Sequence, residues 1–268
     1  MMQLKYFGYL LKKIFELEKP IIAAEILKKI FINYYNINIE EIELPLKEYP
    51  SVQKLFCRKL KKNARIIGDG IVSPVDGLIR QAGRIAEYTA MQVKGRQYDI
   101  RELIGTEKAD DYKNGWYTNI YLAPYNYHRI HSPYKGFINE LQYFPGRFYP
   151  VNNFTVNRVD KLFAVNERII SYIETDIGKI AVVKVAAFGV GDIKITFIPD
   201  DKYILLLYKN NFTKFEKSIK INKFDELGMF AFGSTVVLLF DKKIKAPEFA
   251  KLSDKVIKAG ETIVEVSV

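Results

Sequence analysis

The sequence predicts an α+β chain: a helical N-terminal cap followed by a mostly antiparallel β domain of sandwich or barrel-like form. Two patterns carry that expectation. Apolar residues recur at helical spacing through the first 35 positions, whereas from Ile66 onward short β-branched or aromatic runs alternate with Gly, Pro, Asn and Asp. The balance of 49% hydrophobic and 27% charged residues over 268 positions is that of a folded protein, long enough for one large domain or two small ones.

The elements follow in order. Leu10, Leu11, Ile14 and Phe15 share one helical stripe, with Lys12, Lys13 and Glu16 on other faces. Pro20 opens a second helix that carries Ile21, Ile22, Ile26, Leu27, Ile30 and Phe31, because its fixed φ suits the first helical turn. Residues 36–50 read as a linker ending at Pro50, and a short helix from about Ser51 to Leu60 follows, with Ser51 as its N-cap. The helical region is therefore 1–65 and the β region 66–268. Strands are expected over Ile71–Val72, Leu78–Ile79, Tyr117–Leu122, Ile169–Ile173, Ile180–Val185, Ile193–Phe197, Tyr203–Tyr208, Thr235–Phe240 and Ile263–Val266. No internal repeat or low-complexity linker interrupts them.

The charge narrows the partners. A net +10, from 41 basic and 31 acidic side chains, points to an anionic surface, either nucleic acid or membrane. Residues 1–65 hold 13 basic and 7 acidic residues among many large apolar ones. That mixture suits an interfacial helix better than a groove that tracks phosphates, although it also describes an amphipathic helix packed on its own core. No nucleic-acid-binding motif accompanies it. No apolar run nears the roughly 18–20 residues that span a bilayer. Lys5, Lys12 and Lys13 break up the N-terminus without a small-residue cleavage site, so a soluble or peripheral protein without a signal peptide is expected. The only cysteine, Cys57, excludes an intramolecular disulfide.

Three stretches carry chemistry. Both histidines of the chain lie in Tyr127-His128-Arg129-Ile130-His131-Ser132-Pro133. A catalytic pair, a structural pair and a metal site compete there, but no further His and no Cys cluster completes a tetrahedral shell, so no metal is expected. The second stretch is Gly233-Ser234-Thr235, between apolar runs. It reads as a bulge or bend on entry to a buried strand. It also reads as a self-cleaving step, in which Ser234 attacks the preceding carbonyl, Gly233 lacks the Cβ that would forbid an unusual backbone, and a histidine takes the hydroxyl proton. The third is Ser73-Pro74-Val75-Asp76-Gly77. It is either a turn or the source of a carboxylate that orients a histidine, and Asp69 and Asp192 are equally open to that task.

Taken together and in this order, Ser-Pro-Val-Asp-Gly at 73–77, Tyr-His-Arg-Ile-His-Ser-Pro at 127–133 and Phe-Gly-Ser-Thr at 232–235 resemble the three signatures of phosphatidylserine decarboxylases. Tyr49-Pro50-Ser51, Phe56-Cys57-Arg58-Lys59-Leu60, Pro145-Gly146, Val151-Asn152 and Leu162–Arg168 resemble supporting segments, and the likeness covers about residues 49–268. Phe232 replaces the usual leucine of the cleavage step. The resemblance implies a proenzyme with Asp76, His131 and Ser234 as its processing triad. Cleavage between Gly233 and Ser234 gives a beta chain (1–233) and an alpha chain (234–268), with a pyruvoyl group made from Ser234 as the covalent cofactor. Its ketone takes up the serine amine of phosphatidylserine as a Schiff base and draws electrons as carbon dioxide leaves, and His128 handles substrate and reprotonation.

The implied partners are phosphatidylserine, an anionic membrane surface on the cytoplasmic side and the chain's own two pieces, with a homodimer open and no nucleic acid. The alternatives are a decarboxylase of the same family acting on another amine-bearing carboxylate, and a non-enzymatic binding module. Lys258–Ile263 resembles the turn of lipoyl- or biotinyl-type domains, but no carrier hairpin accompanies it.

Overall fold

Residues Ser234–Phe240 read Ser-Thr-Val-Val-Leu-Leu-Phe, and all seven are buried in one strand. A strand covered on both faces has no polar alternation, and β-branched and large apolar side chains fill both its surfaces. The computed structural model describes residues 2–93, 95–187, 193–201, 203, 212–231, 233–245 and 249–266. Their strands are β1 (Ile71–Val72), β2 (Gly77–Arg84), β3 (Thr89–Val93), β4 (Arg96–Asp99), β5 (Trp116–Leu122), β6 (Arg129–His131), β7 (Gly136–Phe144), β8 (Arg168–Thr175), β9 (Gly178–Ala186), β10 (Ile193–Ile195), β11 (Phe212–Ile221), β12 (Glu226–Phe230), β13 (Ser234–Phe240), β14 (Val256–Ile257) and β15 (Thr262–Val264).

Eight strands form one sheet in the order β11-β7-β8-β9-β13-β5-β2-β14, and every pair in it is antiparallel. The fold is α+β, as the sequence predicts. The sheet stays open between β11 and β14, so the barrel-like alternative is not formed. On one face Val236, Leu238 and Phe240 pack with Ile120 and Val182 against Ile130, Leu227 and Ile193. The last three belong to a smaller sheet, β10-β12-β6. On the other face Val237 and Leu239 meet the β3–β4 hairpin through Ala90 and Tyr98, and helical turns through Ile100, Leu103 and Phe163.

Several elements differ from the sequence expectation. Gly136–Phe144 and Phe212–Ile221 are strands that no pattern indicates. A bulge in β7 between Ile138 and Glu140 breaks its two-residue period, and β11 carries lysines because it is a sheet edge. The expected strand at Ile193–Phe197 ends at Ile195, and that at Ile263–Val266 spans Thr262–Val264. Tyr203–Tyr208 lies outside the described residues beyond Tyr203, and Phe232 and Asp192 also lie outside them.

The N-terminal region folds as α1 (Met2–Phe15), α2 (Ile21–Tyr35) and α3 (Val52–Phe56). Pro20 sits at the N-cap of α2, one position before its expected place. Ser51 caps α3 by accepting the Lys54 amide at 3.4 Å, but this helix stops at Phe56 rather than near Leu60. Phe31, Ile42, Tyr49, Leu55 and Phe56 form a third core cluster. Lys28, fully buried in α2, donates to the carbonyls of Tyr49 at 2.5 Å and Leu46 at 3.2 Å, which ties the linker to the helix.

A second buried lysine, Lys184 of β9, lies inside the main sheet and donates to Ser171 Oγ at 2.6 Å. Burial pushes its amine from 10.5 down to about 7. Between these values the unfolded chain binds the proton that the folded chain has released, so stability rises with pH across that window and is level below it. Lys184→Met should remove this slope and raise stability at pH 7 by roughly 2–4 kcal/mol. Urea denaturation at pH 7 and pH 9.5 checks it: an unchanged slope in the variant would show that Lys184 does not titrate there.

Candidate functional site

The loop between β1 and β2 holds one buried carboxylate. Asp76 accepts from the Ala259 amide at 2.8 Å and from Arg65, through Nη2 at 2.8 Å and Nε at 3.3 Å. Gly77 follows it because a Cβ there would lie 2.4 Å from the Tyr121 carbonyl oxygen of β5, a contact only glycine allows. Of the other two carboxylates the sequence left open, Asp69 is exposed and Asp192 is outside the described residues. The loop is stitched to the histidine segment: the His131 amide donates to the Pro74 carbonyl and the Val72 amide to the Pro133 carbonyl, both at 2.9 Å.

The two histidines have opposite surroundings. His131 is at the end of β6, stacked on Phe224 with centroids 4.1 Å apart. Its Nδ1 donates to the Phe224 carbonyl at 2.8 Å, which leaves Nε2 of the neutral ring to accept from the Tyr127 hydroxyl at 2.9 Å. Burial pushes His131 below its ordinary pKa, while the Phe224 carbonyl and Glu226 pull it upward. Phe224 itself holds φ at 70°, a strained value for a bulky side chain, to present both ring and carbonyl.

His128 is fully buried, with its ring 3.9 Å from that of Phe56 in α3. Its Nδ1 donates to the Asn126 carbonyl at 2.9 Å, and its Nε2 is buried with no hydrogen-bond partner among the described residues. Burial pushes this imidazole from 6.5 down to about 3, opposed by the Asn126 carbonyl and reinforced by the charge of Arg58. The ring is thus neutral, with an unshared Nε2 lone pair whose basicity burial lowers.

Ser234 opens β13, paired with Leu122 of β5 and Ala186 of β9. Its Oγ is also buried and without a hydrogen-bond partner among the described residues. Four residues earlier the Phe230 amide donates to the His128 carbonyl at 3.0 Å, which holds the approach to Ser234 against the histidine segment. Gly233 does not have a left-handed φ, and a Cβ there would meet nothing within 4 Å.

The structure therefore brings Asp76 and the histidine segment together and places both histidines and Ser234 in buried positions. Among the described residues no hydrogen bond joins Asp76 to His131 or His131 to Ser234: Asp76 is held by Arg65, and His131 by Phe224 and Tyr127. Phe224 and Arg65 shape the site without any sequence signal, and Tyr127 and Arg58 do so from within the family-like stretches, which gave no hint of their contacts. No group of three or more His, Cys, Asp or Glu able to hold a metal occurs among the described residues.

Comparison with known proteins adds a family. The family model described as phosphatidylserine decarboxylase matches residues 52–265. A phosphatidylserine decarboxylase proenzyme of Brevibacillus brevis is 42% identical over 217 residues, covering 79% of this chain and 77% of the relative. Proenzymes of the same description from Myxococcus xanthus and Saccharophagus degradans are each 38% identical, covering 87% and 88% of this chain and 84% and 85% of the relatives.

The His128 environment has a measurable consequence. In the uncut Ser234→Ala chain its ring should stay neutral from pH 8 to about pH 4. An unfolded histidine binds a proton near 6.5 and this one near 3, so its share of the stability is lost as pH falls from about 6.5 towards 3. Nitrogen-15 NMR of the ring reads the protonation state directly. A titration centred near 6.5 would contradict the buried, neutral geometry.

Proposed function

This chain belongs to the phosphatidylserine decarboxylase family, and on that premise we propose that it cuts itself at Gly233–Ser234 and converts Ser234 into the pyruvoyl group on which phosphatidylserine loses carbon dioxide. It is a carboxy-lyase that forms phosphatidylethanolamine. The observation that carries the self-cleavage reading is the buried Oγ of Ser234 at the head of the central strand, which has no hydrogen-bond partner among the described residues. A hydroxyl that gains no hydrogen bond from burial is retained at a cost, and nucleophilic attack gives it a use.

The chemistry balances with this chain's own groups and water. Ser234 Oγ passes its proton to a histidine and attacks the Gly233 carbonyl carbon. The 233–234 amide breaks as its nitrogen gains a proton, which leaves an ester. Loss of the Ser234 α-proton then expels Gly233 as a carboxylate and leaves dehydroalanine at 234. Water replaces its nitrogen, and ammonia departs. The resulting pyruvoyl ketone supplies the electron sink for decarboxylation.

In this reading His131 takes the Ser234 proton, Asp76 stabilises the imidazolium by its charge, and His128 handles the proton of the substrate. His131 must then exchange the Tyr127 hydroxyl for that of Ser234. A second assignment rests on a specific feature: His128 Nε2 has no hydrogen-bond partner among the described residues, so no existing hydrogen bond has to break for it to take the Ser234 proton.

Residues 1–65 are proposed as the membrane-associating part, on the cytoplasmic side. No described helix is long and apolar enough to cross a membrane. α2 nevertheless turns Ile22, 76% exposed, Ile26 and Ile30 to solvent, while Phe31 and Lys28 face inward. An apolar stripe on a basic protein suits shallow insertion among anionic headgroups.

Intact-mass measurement tests the processing. The wild-type protein should separate into 1–233 and a 234–268 chain lighter by one ammonia than a serine-started peptide, and Ser234→Ala should stay whole. Loss of a positioned base slows a step by about 10²- to 10⁴-fold, so His131→Ala should accumulate uncut chain. Asp76→Asn should process slowly. His128→Ala should cut yet produce little phosphatidylethanolamine. The reverse pattern for the two histidines would assign the base to His128, and an uncut wild-type chain with full activity would end the proposal.

The membrane reading has its own check. Ile22→Asp with Ile26→Asp should cut binding to phosphatidylserine-containing vesicles about tenfold or more in sedimentation, with cleavage unchanged. Equal binding by the doubly substituted protein would remove α2 from the membrane contact.

A further inference from the structure

Residues 145–167 join β7 to β8, and no step of the processing or the decarboxylation uses them. They turn Phe154, 65% exposed, and Phe148, 37% exposed, to solvent, while Val151, Val156, Leu162 and Phe163 of the same segment are buried in the core. Arginines accompany the outward rings. The Arg158 guanidinium lies 3.6 Å over the centroid of Phe154, and its Nη1 donates to the Phe154 carbonyl at 3.2 Å. Arg147, next to Phe148 in the chain, donates to the Tyr149 hydroxyl at 2.9 Å. The segment is fastened where Ser234 lies. Phe144 pairs with Arg168, Arg168 with Val185 and Val185 with Thr235, so both roots of the loop stand at the end of the sheet where β13 begins. From β8 to β13 is two strand spacings, about 10 Å. Asn166, fully buried, carries the link further. Its Oδ1 accepts from the Tyr149 amide at 3.1 Å, and its Nδ2 donates to the carbonyls of Tyr149 and Ala186, both at 2.9 Å. Ala186 is the pairing partner of Ser234.

Taking the decarboxylase reading as premise, we propose that Phe148 and Phe154 enter the surface of the anionic bilayer that holds the substrate, so that the Ser234 end of the main sheet faces the lipid. An exposed aromatic ring gains by moving from water to the boundary between headgroups and acyl chains, while an arginine at its side stays with the phosphates. Charge complementarity points to the same partner. Residues 145–161 carry Arg147, Arg158 and Lys161 against a single acid, Asp160, which is paired with Arg96. Location agrees as well. A decarboxylase of a membrane lipid has to bring the headgroup to residue 234, and a lipid contact at this end shortens the path by which the headgroup leaves the bilayer. The stripe on α2 is a different surface. That helix packs through Phe31 on Phe56, and Phe56 on His128, whereas the 145–167 loop rests on Ala186, so the two contacts are separable by substitution.

The test is vesicle binding by the full-length protein. Phe148→Gln with Phe154→Gln should weaken sedimentation with vesicles of equal parts phosphatidylcholine and phosphatidylserine about tenfold or more. Arg147→Gln with Arg158→Gln should do the same on these vesicles and change little on pure phosphatidylcholine. Phe154→Trp is a milder second measurement, and it decides alone should the phenylalanine pair fail to fold. After subtraction of the wild-type signal from Trp116, the sole native tryptophan, its emission should move to the blue with the mixed vesicles and be quenched by brominated acyl chains. Unchanged binding by the phenylalanine pair, or no quenching of the introduced indole, overturns the proposal. A wild-type dimer that the phenylalanine pair splits while vesicle binding is retained also overturns it, and makes the loop a contact between two copies of the chain. Wild-type protein that binds the vesicles through this loop yet leaves phosphatidylserine intact would instead overturn the decarboxylase premise, a result separate from all of these.

Discussion

The pairing of β13 between β5 and β9 is the constraint on which the rest of the molecule depends. Seven residues of this strand are matched on each side, from Ser234 opposite Leu122 and Ala186 to Phe240 opposite Trp116 and Ile180. Its Val, Leu and Phe side chains feed both main cores at once. Burial of such a side chain contributes about 1.5–3 kcal/mol, so five of them outweigh the few unmet polar atoms nearby. The same pairing makes self-cleavage structurally tolerable. Residues after 233 are held by β13 in the sheet centre, by β14 on β2, by β15 on β1 and by the Ala259 amide on Asp76. A break before β13 would leave all those contacts intact.

Against that well-paired background the unpartnered polar atoms stand out by position. Among the described residues Ser234 Oγ, His128 Nε2 and two nitrogens of Arg58 are buried without hydrogen-bond partners, and the links among their neighbours connect them through Phe230, Asn126 and Phe56. Buried polar groups are ordinarily satisfied. A cluster that is not, beside a carboxylate and a second histidine that are fully engaged, divides the site into a held half and an available half.

The two histidines show how the fold gives one residue type two different environments. His131 is clamped on both nitrogens and stacked on Phe224, whose backbone is strained to reach it. His128, three residues away, is tied at one nitrogen only and more completely desolvated. The short β6 strand turns them into different layers: His131 faces the cavity edge with Tyr127 and Arg65, and His128 packs beneath α3.

Much of this was legible in the chain itself. Uninterrupted β-branched runs at 117–122, 169–173, 180–185 and 235–240 became strands because burial on both faces demands that composition. The charged edge strand Phe212–Ile221 and the bulged strand Gly136–Phe144 were not legible, since edges accept lysine and a bulge shifts the alternation that marks a strand. The order and residue types of the three motifs identified Asp76, His128, His131 and Ser234 as candidates, because reactive groups must be chemically present before any fold can use them. Which nitrogen carries a proton, which hydroxyl lacks a partner, that Asp76 lies on Arg65, and that Arg58 stands two bonds from His128 were decided only by tertiary structure. Those properties are set by desolvation and by contacts between residues as far apart as 58 and 126 or 131 and 224, and no local pattern records them.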